Sequence, residues 1–349
     1  MAPTGDPPHA LELVRTKIDA FLERFFARER VDIEAEHAAF LPLLEEVVRM
    51  ALSGGKRLRP AFCFWGYHAA GGTDDDAILQ VGAALELFHT FALIHDDVMD
   101  RGEARRGEPT IHVRMAKGRA DQGGPDAEQF GTSAAILAGD FASVLADHLF
   151  LRAGFPPDRI LAAFRRYNHM RIAVAIGQFL DIAGAGREVA EEDARRISLM
   201  KSGSYTVQGP LAVGAILGEG SGEVLDSLER YGTPLGEAFQ IRDDLHGALT
   251  GSLDLAQAKP TVVLAEARRR AGAEGRDFID DHTGRGTLSA GDRARLLEIL
   301  NESGAVEHAG GLVQELVDRA ISQLDSAILG EDPASALREL AESVRIPPG

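Results

Sequence analysis

The chain has 349 residues, 45% of them hydrophobic, a single cysteine and a formal net charge of −17. That length holds one large domain or two smaller ones, and the acidic balance argues against nucleic acid or an anionic membrane surface as the main partner. One cysteine, Cys63 within the apolar stretch 61–65, excludes a disulfide framework and fits core packing in a cytoplasmic protein.

Residues 1–9 carry Pro3, Pro7 and Pro8, lack signal-peptide architecture, and are expected to form a disordered lead-in. From Ala10 the periodicity turns helical, with Leu11, Val14, Ile18, Leu22 and Phe25 on one face. Helical patterns follow over 38–53, 57–70, 76–100, 130–152, 157–183, 190–200, 202–218, 222–247, 260–272, 290–303 and 308–328. Glycine pairs break them at Gly54-Gly55, Gly71-Gly72, Gly123-Gly124, Gly184-Ala-Gly186, Gly218-Glu-Gly220 and Gly284-Arg-Gly286. Lys117 to Glu128 is polar and glycine-rich, and is expected to be a loop near the acidic cluster at 96–100, with a flap as one reading of it. Alternating strand patterns are absent, no uninterrupted apolar run reaches membrane-spanning length, and no break has the length or bias of a linker. The pattern predicts a single all-α domain, a helical bundle over 10–349 around a large central cavity.

Two acidic clusters end apolar helices. Asp96-Asp97-Val98-Met99-Asp100 closes the run that begins at Leu85, and Asp243-Asp244 closes Gly236 to Arg242. Asp96 and Asp100, four residues apart, share a helix face with Cβ atoms about 6 Å apart. Clustered carboxylates at the end of a buried helix are costly unless paired or metal-bound, and an all-oxygen set suits Mg2+ shared with a phosphorylated substrate. Asp74-Asp75-Asp76, after Gly71-Gly72-Thr73, reads instead as a helix cap, and Asp280-Asp281 as a solvated acidic helix end.

Cations stand where a diphosphate would need them. Gly54-Gly55-Lys56-Arg57-Leu58-Arg59-Pro60 places three in a glycine-led turn entering a helix. Arg105 and Arg106 follow the first acidic cluster, Lys201-Ser202-Gly203 is expected to open a helix, and Lys259-Pro260-Thr261 to open another. Helix N-termini and guanidinium forks are natural ligands of phosphate oxygens.

With these residues in place, the chain resembles the trans-isoprenyl (polyprenyl) diphosphate synthases over nearly all its length. The stretches that carry the resemblance are GGKRLRP (54–60), ELFHTFALIHDDVMDRGEARRGEPTIH (86–112), FGTSAAILAGD (130–140), GQFLDIAG (177–184), KSGSYTVQGPL (201–211) and YGTPLGEAFQIRDDL (231–245). The loop before 130–140 looks like that of actinobacterial geranylgeranyl-type members. The resemblance implies an isoprenoid-synthase-type bundle, a homodimer, and Mg2+-dependent head-to-tail condensation of isopentenyl diphosphate with an allylic diphosphate, with three Mg2+ ions when substrate is bound. It implies that Asp96, Asp97 and Asp100 form one metal site, and Asp243 and Asp244 a second. Lys56, Arg59, His89 and Arg106 would form the isopentenyl diphosphate pocket. Arg105, Lys201, Ser202, Gln240 and Lys259 would hold the allylic diphosphate, with Gln178 and Asp181 in a central element where Asp181 could support Lys201 or the reaction centre.

Chain length follows from helix geometry. A tail growing along the helix that ends at Asp96 would meet Phe91, five residues upstream, and Phe88, eight upstream, past the small Ala92. One helical turn rises about 5.4 Å, close to one isoprene unit, so these rings are expected to form the floor of the cavity after a few units, and the resemblance to enzymes with an aromatic at the fifth upstream position implies a C20 product, geranylgeranyl diphosphate, with C15 next.

The chain departs from the family where its second acidic motif should read DDxxD. It reads Asp243-Asp244-Leu245-His246-Gly247, and the loop from Gly251 to Lys259 looks shortened, with Ala258 in place of a glycine and one lysine missing. Two alternatives accompany the leading reading: a class I terpene cyclase, which shares the fold and the Asp chemistry but should lack the cations at 54–60 and Arg106, and, on the strength of this altered motif alone, a catalytically weak regulatory subunit of a hetero-oligomeric synthase.

Overall fold

The computed structural model describes residues 8–250, 253–284 and 288–346. Helices dominate. In chain order they are α1 His9–His37, α2 Leu41–Leu52, α3 Leu58–Ala69, α4 Asp75–Met99, α5 Ile111–Asp121, α6 Ala127–Leu151, α7 Pro157–Gly184 and α8 Glu191–Ser198. A π-helical segment, Leu199–Gln208, leads into α9 Gly209–Leu217, followed by α10 Gly222–Thr250 and α11 Leu253–Ala256. The order closes with α12 Val262–Arg270, α13 Ala273–His282, α14 Ala290–Glu302, α15 Ala305–Ile321, α16 Ser326–Leu329 and α17 Glu331–Glu342. Among the described residues the only sheet is a two-residue antiparallel hairpin, β1 Ala104–Arg105 with β2 Glu108–Pro109. The protein is all-α, as its periodicity predicts.

The chain divides into two compact units. One comprises 11–64 and 74–160 and is built on α4 and α6, with α5 packed on α6 and α2 against both. Asp74 caps α4, its side chain accepting from the Ala77 N–H at 3.1 Å, and Asp75 and Asp76 complement the helix dipole in the first turn. The helix is apolar nearly all round, and Ile78, Val81, Ala83, Ala84, Leu85, Leu87 and Phe88 are all buried. Gly139 lets α6 approach its far end: a Cβ there would come within 2.2 Å of the His95 ring, whose Nε2 bonds the Ile136 carbonyl at 3.0 Å. The C-terminal end of α4, which carries the first acidic cluster, is thereby fixed.

The other unit comprises 1–10, 65–73 and 161–349 and is organised around α10, against which α15, the π segment, α9 and α12 pack. Gly203 and Gly236 face each other there. A Cβ on Gly236 would lie 2.6 Å from the Gly203 carbonyl oxygen, and one on Gly203 would lie 2.7 Å from that of Gly236. Backbone contact between the π segment and α10 thus fixes the height of Lys201 beside the helix that carries Asp243 and Asp244.

Several sequence expectations are corrected. Residues 1–7 lie outside the described residues, but His9 already belongs to α1, because Glu339 accepts from the N–H groups of His9 and Ala10. Lys117 lies within α5, which shortens the expected polar loop to 122–126. Lys201 opens no helix. The chain runs unbroken from α8 through the π segment into α9, because Gly203 serves packing instead of termination. The pattern at 308–328 divides at Asp325, whose side chain caps α16. Helices α5, α11, α13 and α17 were not anticipated. Gly251 and Ser252 of the shortened loop, and Arg285-Gly286 of the break at 284–286, lie outside the described residues. Although no uninterrupted apolar run spans a bilayer, α4 and α6 are long and apolar enough to cross one, and 72% of the most apolar window of α4 is buried inside the protein, as in a core helix.

Candidate active site

In the first unit the acidic cluster sits on the last turn of α4. Asp100 donates its N–H to the Asp96 carbonyl at 2.8 Å, so the helical spacing of the two carboxylates holds to the end. The chain then returns through the hairpin, whose two-residue loop, Arg106-Gly107, has positive φ at both positions (54° and 82°), as a type I′ turn requires. Thr110 closes the return by donating to the Gly102 carbonyl at 2.8 Å. The turn brings Arg105 back onto α4, where its Nε lies 2.8 Å from Asp97 Oδ1 and its Nη2 3.3 Å from Asp96 Oδ2. Arg105, expected as a diphosphate ligand, is here the counter-ion of two carboxylates.

Asp97 tests whether the cluster suits a divalent cation. It is 5% exposed, and its Oδ2 has no hydrogen-bond partner among the described residues. Burial pushes its carboxyl up to about 6, against the pull of Arg105, with Asp96 and Asp100 adding repulsion. The site is short of positive charge, and a hard cation among Asp96, Asp97 and Asp100 would supply it.

Beside the cluster lie the cations of the 54–60 turn. Lys56 is exposed, Arg59 is buried, and Arg106 reaches Ser53 Oγ at 3.3 Å and the Gly54 carbonyl. Arg105 and Arg106, with Ser53 and Arg49, line a cleft of about 70 Å³. His89 retains an accessible edge, but desolvation and the surrounding guanidiniums of Arg59, Arg105, Arg106 and Arg57 hold its imidazole well below 6.5, so it is neutral. A neutral imidazole among four guanidiniums suits a polyanion whose protons are already lost. Phe88 and Phe91 lie one turn apart on α4, ring centroids 5.4 Å apart; Phe88 is 2% exposed and Phe91 half-buried.

In the second unit, Lys201 Nζ lies 2.6 Å from Asp181 Oδ2, and Lys259 Nζ 3.7 Å from the same oxygen. Asp181 and Lys259 are buried. A single carboxylate on α7 therefore gathers two ammonium groups from distant segments, one of them on a π-helix, a feature frequent at functional sites. Ser202 follows Lys201 in the same segment. On α10, Gln240 donates to Asp244 Oδ1 at 2.6 Å and Ser198 Oγ lies 3.4 Å from Asp244 Oδ2. Asp243, nearly half exposed, lies 3.3 Å from Arg242, which also donates to the Ser343 carbonyl and stacks on Phe239. Gln240, expected on the allylic diphosphate, here orients a carboxylate. Ser198 and Arg242 were missed by sequence reasoning, since neither residue type nor spacing distinguishes them. Elsewhere Glu191, Glu266 and His308 bring three potential ligand atoms within 4.8 Å of one another. Arg269 and Arg270 already occupy the oxygens of Glu266, which makes that group an ion-pair network.

A family model described as polyprenyl synthetase matches residues 41–300. A short chain isoprenyl diphosphate synthase of Methanothermobacter thermautotrophicus is 33% identical over 316 residues, covering 86% of this chain and 89% of its own. A (2E,6E)-farnesyl diphosphate synthase of Mycobacterium tuberculosis is 29% identical over 302 residues, covering 83% and 79% respectively. Among solved structures, the geranylgeranyl pyrophosphate synthase of Corynebacterium glutamicum, complexed with isoprenyl diphosphate and magnesium, superposes with a TM-score of 0.88 at 32% identity, over 97% of this chain and 99% of that one.

Proposed function

The chain belongs to the polyprenyl synthetase family, and from that premise we propose that it is a prenyltransferase condensing isopentenyl diphosphate with allylic diphosphates, with geranylgeranyl diphosphate as its product. The observation that carries the reading is the electrostatics of Asp97: a buried carboxylate with an unpartnered oxygen, in a cluster of three, beside arginines. Relatives named for farnesyl, geranylgeranyl and geranylfarnesyl diphosphate support a short-chain product, and the choice of C20 rests on the aromatic rings upstream of Asp96.

In this reading Asp96, Asp97 and Asp100 hold Mg2+, with Asp243 and Asp244 as the second carboxylate pair. Bound there, Mg2+ would neutralise charge building on the departing diphosphate. Lys201 and Lys259, gathered by Asp181, bind the allylic diphosphate together with Ser202. Arg105, now paired with Asp96 and Asp97, exchanges those carboxylates for the same diphosphate. Gln240 acts through Asp244, keeping its carboxylate oriented. Lys56, Arg59, Arg106 and neutral His89 bind isopentenyl diphosphate and aim its double bond. When the allylic C–O bond breaks, the carbocation must meet that double bond before water does, a task for apolar walls. Phe91, the accessible ring of the pair, limits the tail. The released diphosphate takes the final proton, so the reading needs no Ser-His-Asp or Cys-His device.

The reading extends to a cytoplasmic homodimer. Phe130, Leu137, Val144 and Leu151, all exposed and spaced by seven, give α6 an uncovered apolar stripe that a second copy would bury.

Consumption of an allylic diphosphate with and without isopentenyl diphosphate tests the assignment against its alternatives. The synthase reading requires both substrates. Release of a hydrocarbon from the allylic substrate alone would mark a cyclase. No turnover alone, with stimulation of a second synthase subunit, would mark a regulatory chain.

A further inference from the structure

Arg57 stands in sequence between Lys56 and Arg59, yet its environment is of another kind. Its side chain is 2% exposed, and three different nitrogens reach three different elements. Nη1 donates to Glu86 Oε1 on α4 at 2.6 Å, Nε to Asp19 Oδ1 on α1 at 2.8 Å, and Nη2 to the Ala51 carbonyl on α2 at 2.8 Å. Its backbone is left-handed, φ 52°, two residues after Gly55 (152°) and three after Gly54 (86°). A side-chain-bearing residue keeps that conformation only where its surroundings over-determine it. Gly55 is flanked on the same account: a Cβ there would lie 3.5 Å from Arg57 Nη1 and 3.6 Å from Arg106 Nη2. The loop before α3 is thus clamped between a buried guanidinium and that of Arg106, which also reaches Ser53 and Gly54. Glu86, 5% exposed, lies one turn before His89 on α4.

We propose that Arg57 is a positioning residue of the isopentenyl diphosphate pocket. It touches no phosphate. Through its buried pair with Glu86 it sets the height of the 53–59 loop on α4, and so the placement of Lys56 and Arg59 relative to His89. This inference rests on the assignment of those three residues to isopentenyl diphosphate.

The experiment measures kcat, both KM values and Tm for Arg57→Lys, Arg57→Gly, Glu86→Gln, the double variant Arg57→Gly/Glu86→Gln, and Lys56→Ala as control. Glycine accepts the left-handed conformation, so Arg57→Gly removes the fork without backbone strain. The double variant removes both buried charges and should recover the Tm that either single change loses. KM for isopentenyl diphosphate is expected to rise about tenfold or more in every Arg57 variant, the double included, with the allylic KM within about twofold, since a displacement of about 1 Å is costly at a binding site. If isopentenyl KM recovers together with Tm in the double variant, Arg57 is merely structural and the inference falls. If Lys56→Ala raises that KM while Arg57→Gly does not, the inference alone falls. If Lys56→Ala leaves it unchanged, the pocket assignment falls and the inference with it.

Discussion

Lys201 and Asp181, twenty residues apart in sequence, meet at 2.6 Å between Nζ and Oδ2, and the same oxygen lies 3.7 Å from Lys259. Without Asp181 two ammonium groups would repel each other in a poorly solvated place. Asp181→Asn is therefore expected to cost about 3 kcal/mol of stability and to raise the KM for the allylic substrate well before that for isopentenyl diphosphate. Lys201→Ala should share the second effect, by roughly ten- to a hundredfold. Denaturant melts and paired KM measurements check this; equal rises in both KM values would remove Asp181 from the allylic side.

The two rings expected to stop the growing chain differ in burial, and their variants should differ too. Phe91 is half-buried, and Phe91→Ala is expected to lengthen the product by at least one isoprene unit, read by mass. Phe88 is 2% exposed, and Phe88→Ala should chiefly cost stability, by about 3 kcal/mol or more. Unchanged products in an active Phe91→Ala enzyme would place the floor elsewhere.

His89 gives a pH signature. Its imidazole is held well below the ordinary 6.5 by desolvation and the neighbouring guanidiniums. Below 6.5 the unfolded chain takes up a proton that the folded chain refuses, so the contribution to stability is complete above 6.5 and is lost as pH falls toward the folded value. Wild type should lose more stability than His89→Gln between about pH 7.5 and about pH 5.5. Parallel losses would show that His89 takes up its proton as readily in the folded protein as in the unfolded chain.

Gly247 lies on α10 one turn beyond Asp243, where the family's motif carries a third carboxylate. Gly247→Asp is expected to lower the Mg2+ concentration that gives half-maximal rate, with an equal or faster turnover. A titration midpoint unmoved in an active variant would show that position 247 does not face the metal.

What the sequence made legible was whatever rests on local periodicity or spacing. The cap at Asp74, the apolar run of α4 and the i, i+4 geometry of Asp96 and Asp100 are local, and the structure has them as expected. The hairpin that returns Arg105 to Asp97 was not legible, because the pairing depends on a turn set by Gly107 and not on helical spacing. The unbroken passage through Lys201 was missed because Gly203 reads as punctuation until Gly236 is seen against it. Arg57 was counted with Lys56 and Arg59 because three cations in a row look alike. Only the fold distinguishes the one that is buried against Glu86 and Asp19.

The central claim is metal-dependent condensation at the acidic cluster on α4. Purified protein, Mg2+, isopentenyl diphosphate and farnesyl diphosphate are incubated, and products are read by mass for wild type, for wild type with EDTA, and for Asp96→Ala. The account predicts geranylgeranyl diphosphate from wild type, none with EDTA, and a rate lower by about a hundredfold or more in Asp96→Ala. Undiminished product with EDTA, or wild-type turnover in Asp96→Ala, would contradict it.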